Sequence, residues 1–142
     1  MKSHRGISWL FYIGAAYDAI LGIAFLFFAA RIFEWWKVTP PNHMGYVQFP
    51  GALLLVFALM FVVIARNPVG NRNLIPYGIL LKVTYCAVVS WHWLLHGIPD
   101  MWKPFAVMDA LLGILFLWAY VHLRRSGKRP EDPLSDVASL DR

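Results

Sequence analysis

The chain has 142 residues, of which 59% are hydrophobic and 15% charged, with a formal net charge of +5. A soluble domain carries about 25% charged residues, so this composition excludes an ordinary water-soluble globule. The basic excess does not point to nucleic acid, because most Lys and Arg stand at the ends of apolar blocks, where they set membrane orientation or meet anionic lipid. Cys86 is the only cysteine, which excludes an intrachain disulfide and CxxC redox chemistry.

Four apolar blocks are each long enough to cross a bilayer, and they predict an all-α membrane protein: an antiparallel bundle of four transmembrane helices within residues 1–125. The first span runs over about 8–30, interrupted only by Asp18. Its apolar stretch is too long for a signal-peptide core and no clear A-x-A site follows, so it reads as a retained span. The link Arg31 to Gln48 contains Trp35, Trp36, Pro40 and Pro41, which suits an interfacial turn. The second span covers about 49–65, with Pro50 in its first turn. That is roughly 24 Å of helix, short for a crossing. Asn71 and Asn73 are expected to cap the third span, about 74–96, which Gly97 and Pro99 end. The fourth covers about 103–123. Residues 126–142 are polar and proline-containing and read as a disordered cytoplasmic tail.

Counting Lys and Arg in the flanks gives eight on one side (Lys2, Arg5, Arg66, Arg72, Arg124, Arg125, Lys128, Arg129) and three on the other (Arg31, Lys37, Lys103). The positive-inside rule then places both termini in the cytoplasm. Trp35, Trp36, Trp91, Trp93 and Trp102 gather at the opposite interface. The expected location is the bacterial inner membrane. The lipid bilayer is the expected partner, joined by other membrane subunits or further copies of the chain, with no nucleic acid.

Ionisable groups inside a span cost at least about 2.5–3.5 kcal/mol each on insertion scales, so they face the bundle interior and find partners. Asp18, Lys82, His92, His96 and Asp109 fall in this class. In the third span Gly78, Lys82, Tyr85, Val89, His92 and His96 follow alternating steps of four and three, a single seam. Trp102, Ala106, Asp109, Gly113, Phe116 and Tyr120 repeat that rhythm in the fourth. Gly14 and Gly22 flank Asp18 on its own face and allow a neighbouring backbone to come close. At 1.5 Å per residue, Asp18 lies about 14 Å from Trp9 and Lys82 about 11 Å from Ile75, nearly one depth. Asp109 lies only about 8 Å from the opposite end of its span. Two polar layers are therefore expected: an Asp18–Lys82 pair near mid-membrane, and Asp109 with His92 nearer the outer side.

Each layer admits a structural and a chemical reading. Lys82 either snorkels to the interface or bridges Asp18, and the bridge either fixes helix pairing or handles protons or ligand. His92 and His96 stand four apart and with Asp109 could hold a metal. The Trp91-His92-Trp93 stretch suits either an aromatic belt or the wall of a quinone site. No cofactor is required by the sequence, with quinone and metal the two open candidates.

The pattern resembles small bacterial four-span proteins of the DoxX-like kind. The shared residues are Tyr17-Asp18 and Leu21-Gly22, then Pro41 and Tyr46, then Ala65-Arg66-Asn67-Pro68 with Asn71-Arg72, then Gly78 and Lys82, then Asp109 with Phe116-Leu117. They span about residues 9–123. The name-giving members are linked to quinone-coupled sulfur oxidation, and other relatives to membrane redox complexes. The resemblance implies a small inner-membrane bundle of unassigned role, such as an accessory subunit. The short links, the lack of a soluble catalytic domain and polar residues able to satisfy one another point to a non-catalytic accessory or interaction subunit. The alternatives are a proton-coupled small-molecule transporter and a quinone- or lipid-linked membrane redox protein.

Overall fold

The computed structural model describes residues 3–126. The expected tail, 126–142, therefore lies outside the described residues apart from the backbone of Ser126. All the regular structure among the described residues is helical, in the order α1 (Ser3–Phe27), α2 (Ala29–Trp35), α3 (Gly45–Arg66), α4 (Ile75–His96) and α5 (Lys103–Ser126). Short 3₁₀ turns at Arg72–Leu74 and Asp100–Trp102 precede α4 and α5. Four of these helices are long and apolar enough to cross a membrane, and the protein is an antiparallel bundle of them.

Several boundaries differ from the sequence expectation for local reasons. The second span begins at Gly45 rather than near residue 49 and is 22 residues long, which removes the apparent shortage of helix. Pro50 is thus the sixth residue of α3 rather than part of its first turn, and the Tyr46 carbonyl loses its usual i+4 donor. At the other end, Phe28 leaves helical geometry (φ −123°, ψ 13°) and splits the first apolar block into α1 and α2. Helix α2 closes with the Lys37 amide donating to Glu34 O at 3.0 Å and the Val38 amide to Phe33 O at 2.9 Å. That is the Schellman pattern, with Lys37 at φ +53° in the position glycine usually fills. Gly97 (φ +73°, ψ 154°) ends α4 in a backbone region open to glycine alone.

The asparagines of the middle link act differently from expectation. The Asn71 side chain makes no hydrogen bond to the start of the next helix. Its Nδ2 instead donates back to Val63 O at 3.0 Å and Asn67 O at 3.1 Å, while the Asn67 side chain accepts the Gly70 amide. These residues satisfy carbonyls at the C-terminal end of α3, where orphan acceptors need partners. Asn73 is exposed and α4 starts behind Leu74 with Pro76 in its first turn.

Packing divides into two apolar clusters. One, near the end where α1 begins, centres on Ile7, Phe11, Phe61, Ile64, Ile75 and Phe116. Its rings sit in glycine sockets: a Cβ on Gly14 would meet the Phe116 ring at 2.7 Å, and one on Gly78 the Phe61 ring at 2.5 Å. The Phe11 and Phe116 rings stack with centroids 4.6 Å apart. The other cluster, at the opposite end, joins Phe25, Phe33 and Met101, with Trp102 and Phe105 against them. Helix α1 packs chiefly on α3, and α4 chiefly on α5. The costly polar residues lie between the clusters.

Candidate functional site: a buried Asp–Lys–Asp triad beneath an apolar cavity

Three ionisable side chains meet in the core. Lys82 Nζ donates to Asp18 Oδ1 at 2.5 Å and lies 3.0 Å from Asp109 Oδ1. Asp18 is 0% exposed, Lys82 1% and Asp109 7%. Glycine and sequence spacing explain how three helices deliver them. Gly14 and Gly22 let α3 and α5 side chains and backbone close on the Asp18 face of α1, and Gly113 admits the Lys82 stem with its would-be Cβ 3.4 Å from the Lys82 Cβ. In so dry a setting an unpaired charge would be expensive, and Lys82 supplies the single cation for both acids.

The two-layer expectation is corrected here. Asp109 shares Lys82 with Asp18 rather than standing with His92. The reason is the path of the link between α4 and α5. After Gly97 the chain turns back into the bundle, burying Met101 and stacking Trp102 on Phe25 at 5.7 Å. Helix α5 therefore starts below the end of α4: Lys103 Nζ lies over the Trp93 ring at 5.1 Å, and Cys86 Sγ donates to Ala106 O at 3.4 Å. This shift carries Asp109 to the level of Lys82 and leaves the last turn and a half of α4, Trp91 to His96, exposed outside the bundle core. His92 and His96 lie side by side there, ring centroids 5.8 Å apart. The seam read along the third span faces inward only from Gly78 to Val89. Among the described residues no three His, Cys, Asp or Glu side chains converge as a metal site, so the set His92, His96 and Asp109 is not assembled.

The triad is incompletely satisfied. Asp18 Oδ2 and Tyr17 Oη are buried and receive no hydrogen bond from any described residue. Asp109 Oδ1 meets Lys82 Nζ at 3.0 Å in an ion pair less well aligned than that of Asp18. Buried polar atoms without partners are uncommon in folded proteins and call for a reason.

Directly beside them is a cavity of about 680 Å³. Tyr17, Asp18, Tyr85 and Asp109 are its polar lining next to the triad. Its walls are apolar and largely aromatic, from Phe25 and Leu21 of α1, Leu54 and Phe57 of α3, and Trp102 and Phe105 around the start of α5. The link residues Val38, Thr39 and Pro41, together with Pro99, border it at the end of the bundle away from the termini. Tyr85 Oη donates to Trp102 O at 3.3 Å and ties the two walls together. The size falls within the usual 300–1,000 Å³ of small-molecule sites, and an apolar wall with few convergent polar groups is their usual make-up. Chemically, such a site can hold an amphiphile whose tail is buried among aromatics while its head meets carboxylates and phenols.

Tyr85 reads as a packing residue in the sequence, and Tyr17 enters only through the resemblance to DoxX-like proteins. Their positions, one beside Asp18 and three after Lys82 on the inward seam, were the available signal. Trp102 stands on the inward seam of the fourth span, but the part played by the link has no sequence signal, since it depends on chain reversal after Gly97. No family model matches the chain, and no curated protein or solved structure matches it either.

Proposed function

We propose that this multi-pass membrane protein is a binding protein for one small amphiphilic molecule, held in the cavity lined by α1, α3, α4 and the start of α5 with its polar head at the Asp18–Lys82–Asp109 triad. The observation that carries this reading is a large apolar cavity bordered by the partly open Asp109 carboxylate of a triad with two acids and one base. A triad that only pinned helices together would gain from close packing around it, and an adjacent void costs stability. We place the protein in the bacterial inner membrane with both termini in the cytoplasm, on the strength of the eight-to-three bias in flanking Lys and Arg. The cavity then faces the outer side. A kinship with DoxX-like bundles belongs to the same proposal and rests on residue spacing over about 9–123. Binding of this kind is compatible with service as an accessory subunit that presents its ligand to a larger complex.

The test is retention of a natural ligand. Wild type, Leu54→Trp (which fills the cavity) and Leu59→Trp (on the lipid-facing side of α3, 68% exposed) are purified into lipid nanodiscs and their extracts compared by mass spectrometry. A species enriched in wild type and Leu59→Trp but lost from Leu54→Trp supports the reading. Identical extracts from all three, at equal folding, overturn it.

A further inference from the structure

We infer that the molecule held at the triad carries a cationic, hydrogen-bond-donating head, such as a protonated lipophilic amine, and that Asp109 is its anionic contact. The inference rests on the cavity being a binding site and adds the chemistry of its occupant.

The first argument is charge. Two carboxylates surround one ammonium, which leaves one formal negative charge when all three groups are ionised. Among the described residues no second cation approaches either acid: the salt bridges of Asp18 and Asp109 both run to Lys82. An uncompensated charge in so dry a place is expensive, and an incoming cation removes that cost.

The second argument is hydrogen-bonding capacity. The unused atoms are Asp18 Oδ2 and Tyr17 Oη. Carboxylate oxygens accept, and an ionised acid has nothing to donate. A head that serves the carboxylates must therefore bring donors, whereas the Tyr17 phenol both donates and accepts and does not discriminate. A quinone, whose carbonyls only accept, leaves both carboxylates as they are. Asp18 Oδ2, Asp109 Oδ1 and Tyr17 Oη are themselves enclosed, so an ammonium brings its N–H donors to the open part of the Asp109 carboxylate, whose side chain is 10% exposed.

The third argument separates the two acids. Lys82 is committed to Asp18 by a short, aligned hydrogen bond, and Asp18 is wholly enclosed. Asp109 has the looser ion pair, its side chain is 10% exposed, and it borders the cavity. Asp18 thus serves as the partner that holds Lys82, while Asp109 presents the residual charge to the ligand. The aromatic walls from Phe25, Phe57, Trp102 and Phe105 then suit a cation's alkyl or aryl body, with ring faces adding cation–π attraction.

The experiment compares three probes of similar size on the full chain in nanodiscs: decylammonium, decanol and a short-chain benzoquinone. Binding is read as the part of the thermal or fluorescence shift that Leu54→Trp abolishes, which subtracts partition into lipid. The expected result is decylammonium binding roughly tenfold or more tighter than either neutral probe, the scale on which one charge-assisted hydrogen bond acts. Asp109→Asn should bring decylammonium down to the level of decanol. Equal affinity of all three probes for wild type, still abolished by Leu54→Trp, overturns the cationic head while leaving the cavity as a binding site. Tighter binding of the quinone does the same. No Leu54→Trp-sensitive binding of any probe overturns both. If Asp109→Asn fails to fold, the ranking of probes on wild type still decides the matter.

Discussion

Gly22 of α1 and Gly51 of α3 meet backbone to backbone: the Gly51 carbonyl oxygen lies 2.7 Å from where a Gly22 Cβ would stand, and a Gly51 Cβ would come within 3.2 Å of the Gly22 carbonyl oxygen. Small residues at a crossing let transmembrane helices approach this closely and gain dispersion and weak C–H···O contacts. The neighbour is backbone, which cannot rotate away. Gly22→Ala and Gly51→Ala should therefore each destabilise the bundle, by about 1–3 kcal/mol as for other overpacked interiors. Gly6 has open space around it, and Gly6→Ala should be neutral or slightly stabilising because alanine favours helix. Thermal unfolding in one detergent, followed by circular dichroism, ranks the three. Equal behaviour of Gly6→Ala and Gly22→Ala would mean that the crossing is looser than described.

The triad makes a prediction that a simple pair does not. Removing the cation with Lys82→Met leaves two carboxylates facing each other and should cost about 3–5 kcal/mol. Asp18→Asn leaves Lys82 its ion pair with Asp109 and should cost clearly less. The double change Lys82→Met with Asp18→Asn removes one acid but strands Asp109, so recovery should be partial. Adding Asp109→Asn makes the layer neutral and should restore most of the lost stability. A double variant already as stable as the triple would show that Asp109 is not part of the network.

Asp18 and Lys82 could be brought together because both depths were counted from the same face along uninterrupted helix, where rise per residue is constant. Asp109 was misplaced because its depth was counted from the other face, and that count assumed helices ending level. The re-entrant link Gly97–Trp102 breaks the assumption, and its course depends on Met101 and Trp102 finding the Phe25–Phe33 cluster. The early start of α3 was hidden for a related reason: Gly45 to Gln48 carry little hydropathy, yet their helical geometry follows from the apolar run they lead into. The cavity was illegible because it is space left by helices that diverge, and no residue pattern marks an absence of packing.

Asn71 gives a local test of the middle link. Its side-chain amide donates to two carbonyls, Val63 O and Asn67 O. Asn71→Ala leaves these C-terminal acceptors of α3 to water and should cost about 0.5–1.5 kcal/mol, the usual worth of a net hydrogen bond. Asn73→Ala, at an exposed residue two positions on, should change nothing measurable. If Asn73 proved the costly substitution, the cap would belong to the start of α4 after all. Hydrogen exchange of the Val63–Asn67 amides in detergent adds a site-specific readout, with faster exchange expected only for Asn71→Ala.

The direction of insertion is the remaining prediction, and it rests on charge placement. Arg66 and Arg72 flank the link between α3 and α4, while Arg31 and Lys37 lie near the link between α2 and α3. Lys and Arg are retained on the cytoplasmic side during insertion, so the first of these links should stay inside and the second should face out. Single cysteines report this once the native thiol is removed. Cys86 is half-buried against Ala106 and its replacement by alanine should be tolerated, as a small hydrophobe of similar burial. In that background Asn42→Cys should react with a membrane-impermeant maleimide in intact cells, and Gly70→Cys only after the membrane is permeabilised. Both sites are exposed in the fold, so accessibility reports the side of the membrane rather than burial. Reaction of Gly70→Cys in intact cells would invert the topology and put the mouth of the cavity, with Thr39 and Pro41 at its rim, on the cytoplasmic side.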